Sequence, residues 1–215
     1  MISKSGWRFF AAMVVLLVMP SVVSCGNDKP AQPVKNETVE RTSEKNELVT
    51  DRVEYQMLKG TKDSEGFTKY SIRIFDDDRK LVWEKSYRLT RDSIGLGMLG
   101  NDIVVCRIGV GTGLNYTQYF DRNNRRESPV YTTPLLVGYG KVVAPKKGKL
   151  IVADMFEHKV FYKELIIEDF PPVANPVDAF SEIKWVGENK LSVTYLIGNR
   201  GEKLGKKTVE FDLNE

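Results

Sequence analysis

From Thr50 to the C-terminus, apolar and aromatic residues come in short alternating runs, broken every few residues by Gly, Asn, Asp or Lys. Such runs are too short for packed helices, and their period of two puts one set of side chains on each face of a strand. Tyr70-Ser71-Ile72-Arg73-Ile74-Phe75 stops at Asp76-Asp77-Asp78-Arg79-Lys80, and Leu81-Val82-Trp83-Glu84-Lys85-Ser86-Tyr87 runs back. Val209-Glu210-Phe211-Asp212-Leu213 closes the chain as another strand. The pattern predicts an all-β domain over residues 50–215, built as an antiparallel hairpin meander. The one predicted helix is short, around Pro176 to Phe180, with Asn175 as its cap.

The strands repeat. An aromatic residue followed by Asp ends a strand at Phe75-Asp76, Phe120-Asp121 and Phe211-Asp212; the first step is 45 residues and the second is 91. Leu165-Ile166-Ile167-Glu168-Asp169 falls midway in the double step as a degenerate copy. A second series of turn-then-strand segments begins at Gly100, Gly148 and Gly187, with Arg52 to Met57 as the matching strand of the first unit. About four repeats of 40–50 residues, each a small antiparallel sheet, are the period of propeller blades. One such sheet cannot bury both faces, so neighbours stack. Propeller-like stacking is favoured over a β-sandwich. The 166 residues available leave a closed ring, an open array and a two-sheet sandwich in contention.

The N-terminal quarter has a different texture. Lys4 and Arg8 precede an unbroken apolar run of 11 residues, Phe9 to Met19, which Pro20 and Ser21 end. That is too short to span a bilayer, which needs about 20 apolar residues, and it fits the apolar part of a secretory signal. Val22-Val23-Ser24-Cys25-Gly26 then resembles the lipobox of bacterial lipoproteins. The resemblance covers residues 1–25 and implies cleavage after a signal peptide of residues 1–24. It also implies lipidation of Cys25: a diacylglycerol on the thiol, then acylation of the new amine. Two or three acyl chains anchor stably, at about 0.8 kcal/mol per buried methylene. Val22 and Ser24 would also suit a signal peptidase that leaves Cys25 a free thiol. Gly26-Asn27 lacks the Asp of lipoproteins kept at the inner membrane, so in a Gram-negative cell the expected place is the outer membrane.

Residues 26–49 carry no aromatic residue and alternate acids with bases. They cannot bury enough apolar surface to offset their ordering entropy, and together with Cys25 they form an expected flexible tether over 25–49. Its r.m.s. reach is roughly 25–30 Å. Of the formal charge of +3, Lys4 and Arg8 account for two, so no electrostatic claim on nucleic acid follows.

Residues with catalytic potential are sparse. The chain has one His and two Cys. His158 shares a strand face with Asp154 and Phe156, which permits an Asp-plus-His metal pair, but no second His exists and Glu157-His158-Lys159 reads as a turn. Cys106, in Ile103-Val104-Val105-Cys106, reads as a core residue. Asp76-Asp77-Asp78 lacks the spaced ligands of a calcium loop and reads as a hairpin turn. Gly109-Val110-Gly111-Thr112-Gly113 lacks the Lys and helix of a phosphate loop. Two basic stretches, Arg122 to Arg126 and Lys146 to Lys149, sit at predicted turns and could touch anionic headgroups. Tyr116, Tyr119, Tyr131, Tyr139, Tyr162 and Tyr195 could line a recognition surface.

No metal, catalytic residue or cofactor is assigned. The expected protein is a membrane-anchored lipoprotein of the bacterial cell envelope whose β domain binds a protein, peptide or glycan without catalysis. Its partners are membrane lipid, through acylated Cys25, and an envelope protein or glycan. An envelope inhibitor or immunity protein against a hydrolase or toxin is the alternative, and a hydrolase built on scattered carboxylates ranks third.

Overall fold

The structure, a computed structural model, describes residues 46–215 apart from 112, 147, 172–174 and 199–203. The signal segment, Cys25 and nearly all of the tether lie outside the described residues. The domain is all-β, in four antiparallel meanders that follow one another along the chain. The first sheet holds β1 (Glu47–Asp51), β2 (Tyr55–Lys62), β3 (Thr68–Phe75) and β4 (Leu81–Leu89). The second holds β5 (Ile94–Leu99), β6 (Ile103–Gly111), β7 (Leu114–Asp121) and β8 (Arg126–Glu127), with β9 (Tyr131–Thr132) also pairing β7. The third holds β10 (Leu136–Gly138), β11 (Lys141–Lys146), β12 (Lys149–Asp154) and β13 (Tyr162–Ile166). The fourth holds β14 (Phe180–Gly187), β15 (Lys190–Ile197) and β16 (Gly205–Asp212).

Three apolar clusters join the sheets in chain order. Tyr55, Met57, Tyr70, Ile72 and Ile74 of the first sheet meet Val104, Cys106 and Phe120 of the second. Val105, Tyr119 and Tyr131 of the second meet Val142, Ala144 and Met155 beside the third. Val143, Leu150, Val152 and Leu165 of the third meet Leu191, Val193 and Tyr195 of the fourth. Neighbouring residues of one strand thus serve different clusters, Val104 and Val105 on β6, Val142 and Val143 on β11, because successive side chains point to opposite faces.

This explains a difference in texture between strands. The middle sheets are covered on both faces, so β6 and β11 carry continuous apolar runs, Ile103 to Cys106 and Val142 to Ala144. Among the described residues the end sheets are covered on one face only. On β3, Tyr70, Ile72 and Ile74 are buried, while the other face pairs Arg73 with Glu84 and Ser71 with Ser86. On the fourth sheet's outward face, Thr194 meets Thr208 and Lys184 meets Glu182.

The expected repeat is present but shifted. Asp121, Asp154 and Asp212 are equivalent: each ends a third strand and pairs with the first residue of the second strand, Ile103, Lys141 and Lys190. Each carboxylate accepts a backbone N–H of the turn that follows. The next residue then donates its N–H to the carbonyl before the second strand, Arg122 to Asp102, Met155 to Gly140 and Leu213 to Asn189. In the fourth sheet, third strand means β16. In the first sheet Tyr55 pairs with Ile74, so Asp76 lies two residues beyond the equivalent place. Leu165 to Asp169 is not a copy of the motif, since it begins at the end of the fourth strand of its sheet. The Gly148 turn joins second and third strands, whereas the Gly100 and Gly187 turns join first and second.

Other boundaries move slightly. β1 begins at Glu47, inside the stretch read as tether, because Glu47 and Leu48 pair with Lys59 and Leu58. Its stability comes from the ladder, since Leu48 and Val49 stay exposed. The short helix is a 3-10 turn, Pro176–Ala179, in which the Asn175 side chain accepts the N–H of Val177 at 3.2 Å.

Candidate functional site

Most polar residues singled out in the sequence are engaged within the fold. His158 lies in the Glu157–Val160 turn and its Nε2 is 2.9 Å from the Tyr131 hydroxyl, so it ties that turn to β9 of the second sheet. Asp154 instead accepts the backbone N–H of Phe156 and Glu157. Cys106 is buried against the first sheet, and burial pushes its thiol up to about 11, which keeps it protonated and inert. Asp76 to Arg79 form a hairpin turn, with the Asp76 carboxylate accepting the Lys80 N–H. Gly109 and Gly111 lie near the end of β6, at the hairpin to β7. No group of three or more His, Cys, Asp or Glu that could hold a metal gathers among the described residues.

The described cations of the two basic stretches are engaged in internal contacts. Arg122 is buried: its Nε donates to the Phe75 carbonyl at 2.6 Å, its Nη1 to the Asn101 carbonyl at 3.1 Å, and its Nη2 pairs with Asp77 at 3.0 Å. Arg126 pairs with Asp121 and stacks on Phe156. Lys146 and Lys149 both donate to Glu164, and these bonds hold its carboxyl down to about 2. The six tyrosines do not form one surface. Tyr119, Tyr131 and Tyr195 are buried, while Tyr116, Tyr139 and Tyr162 are exposed.

An unfilled space lies between the second and third sheets. β5 reads Ile94-Gly95-Leu96-Gly97-Met98-Leu99, and Ile94, Leu96 and Met98 pack toward the first sheet. The opposite face of β5 therefore presents Gly95 and Gly97, where a Cβ would meet nothing within 4 Å. The trough left there has a volume of about 510 Å³. Leu135, Leu136 and Val137 form its far wall. The register places Gly95 beside Arg107 and Gly97 beside Val105, which in turn pairs with Tyr119. One end is therefore cationic, and the other, at Leu99 and Val137, is apolar.

Two polar groups of this trough are unspent. The Tyr119 side chain is 1% exposed, and its hydroxyl has no hydrogen-bond partner among the described residues. Burial pushes that phenol up to about 12, against the pull of the Arg107 guanidinium, and at neutral pH it is a protonated donor, as an ordinary phenol is. An unsatisfied buried hydroxyl costs about 1–3 kcal/mol. Arg107 is exposed and makes no side-chain hydrogen bond or ion pair among the described residues. A larger cleft of about 730 Å³ borders the first and second sheets, but its Arg88 is taken by Asp63 and Glu65 and lies over Phe67.

The Gly-Leu-Gly alternation in β5 is the signal that could have located the trough, because Gly in a strand interior marks a bulge or a close approach of another group. The orphaned phenol has no such signal. No family model matches the chain, and no curated protein or solved structure matches it.

Proposed function

We propose that this protein is a lipoprotein of the bacterial cell envelope, anchored through acylated Cys25, whose β domain holds a ligand in the trough between its second and third sheets without transforming it. In a Gram-negative cell it sits at the outer membrane. The observation that carries the binding reading is the trough itself: a glycine-lined gap with a buried donor and a cation at its edge, neither of them partnered among the described residues. The non-catalytic reading is supported by the engagement of the likeliest reactive groups elsewhere. Cys106 faces the first sheet, and His158 is bonded to Tyr131. The four sheets read as propeller-like blades left as an open array, an arrangement supported by the polar outward faces of the first and last sheets, which act as caps.

The test uses the full chain in intact cells. Metabolic labelling with a palmitate analogue marks the wild type and not Cys25→Ala, and the variant leaves the membrane fraction. A photoreactive side chain placed at Leu136 gives an adduct of defined mass, while one at Thr194 on the outward face gives none. Equal labelling of the two Cys25 forms sinks the anchor, and equal capture at the two positions sinks the binding site.

A further inference from the structure

We infer that the trough between the second and third sheets takes an amphipathic carboxylate: one extended apolar chain ending in a single acidic group. The inference rests on the binding reading above and names the ligand class of that site. The register gives the trough a direction. Arg107 stands beside Gly95 at one end, and the floor then runs past Gly97 toward Leu99 and Val137. An apolar chain lying over the two glycines fills the volume that their missing side chains leave, against walls of Leu135, Leu136 and Val137.

The head group follows from the two polar groups that lack partners among the described residues, Arg107 beside Gly95 and Tyr119 two residues along the neighbouring strand from the residue Arg107 pairs with, both lining the trough. A guanidinium with no carboxylate partner among the described residues offers paired donors to an anion, and the planar carboxylate matches that fork. The Tyr119 hydroxyl is shut from solvent and has no hydrogen-bond partner among the described residues, and a phenol, protonated at neutral pH, donates to an anion. A cationic head satisfies neither demand, and a neutral oxygen accepts from the phenol but leaves the guanidinium's charge unmatched. No bond is made or broken, so nothing beyond complementarity is required of the site.

The probe is octanoate labelled with ¹³C at its carboxyl carbon, titrated against the full chain held in lipid nanodiscs, with empty nanodiscs as the partition control. Saturable binding is expected from the wild type. Arg107→Gln weakens it about tenfold, the loss of one charge-assisted pair. Gly97→Leu abolishes it by filling the trough, and its unfolding midpoint, compared with the wild type, shows that the domain still folds. Octanol and octylammonium do not compete. Binding that does not saturate, equal affinity in Arg107→Gln, or equal competition by octylammonium overturns the inference. So does trileucine bound in preference to octanoate, which assigns the site to peptide C-termini. If octanoate fails while the adduct at Leu136 persists, the ligand class falls and the binding reading stands. If both fail, both fall.

Discussion

The second sheet packs on the first with one face and on the third with the other, and the two interfaces are finished differently. Toward the first sheet, Phe120 is fully buried and meets the edge of Trp83 at a centroid distance of 5.7 Å. The end at Phe75 is closed by the buried Arg122 clamp, and Lys85 meets Glu127 at 2.7 Å, while the opposite end, at Phe67 and Gly109, carries the cleft of about 730 Å³ whose Arg88 is taken by Asp63 and Glu65. Toward the third sheet, two glycines of β5 leave a trough, and Tyr119, which lines it, has a hydroxyl with no partner among the described residues. One sheet thus carries a face spent on cohesion and a face left incomplete. The incomplete side is where a ligand adds most, because it supplies contacts the chain itself does not make.

The sharpest way to break this contrast is truncation on the closed side. Phe120→Ala removes a fully buried ring and is expected to cost about 3–5 kcal/mol in urea unfolding. A cost under about 1 kcal/mol would mean that the interface relaxes around the gap and is not the cohesive one. Arg122→Met comes next, at about 2–4 kcal/mol, because it strands the Phe75 and Asn101 carbonyls and leaves Asp77 unpaired. Asp77 is largely exposed, which keeps the loss below that of a fully buried pair. If Arg122→Met unfolds at the wild-type midpoint, the clamp is decoration and cohesion resides in the apolar cluster alone.

Much of this was legible in the residues, and what was not has a physical cause. The alternation on β3 announces strands, and it also marks that sheet as an end of the stack, just as the continuous run Ile103 to Cys106 marks a middle one. The repeat was visible as an aromatic-Asp mark, but the true unit is the Asp and the residue after it, here Arg122, Met155 or Leu213. Those three residues share a buried position and no chemistry, so a search by residue type passes over them. The sequence places Arg122 at a turn and gives no sign of its burial, because its carbonyl partners lie 47 and 21 residues away. The trough was half legible: Gly95 and Gly97 stand out within β5, but Tyr119 looks like any strand tyrosine until its register with Val105 is known.

Glycines sharpen the comparison at smaller scale. At Gly138 on β10 a Cβ would come within 2.5 Å of the Trp185 Nε1, where the third and fourth sheets close on each other. Gly138→Ala is therefore expected to cost about 1–3 kcal/mol. Gly97→Ala meets nothing and should gain about 0.5–1 kcal/mol through the lost entropy of the unfolded chain. Equal effects in thermal unfolding would show that the space at Gly97 is not open.

The smallest effect is the most specific to the incomplete face. Tyr119→Phe removes the unpaired hydroxyl, leaves the ring on Tyr131, and should leave stability at neutral pH unchanged or raised by up to about 1 kcal/mol. A hydroxyl with a hidden partner would give the opposite sign. The pH dependence supplies the second readout. The folded phenol is raised by burial to about 12 from an ordinary value of 10.0. Its contribution is fully present below pH 10, because neither state has lost the proton there. Between about 10 and 12 the unfolded chain ionises and the folded one does not, so stability falls across that window and levels once the folded phenol also ionises. Tyr87 and Tyr131 are raised by burial as well, so the variant still declines in alkali, but with a shallower slope than the wild type. An unchanged slope would mean that Tyr119 titrates as if exposed. Its hydroxyl would then be open to water, and the buried, unpartnered donor proposed for the carboxylate head would be missing, whatever the neutral-pH stability had shown.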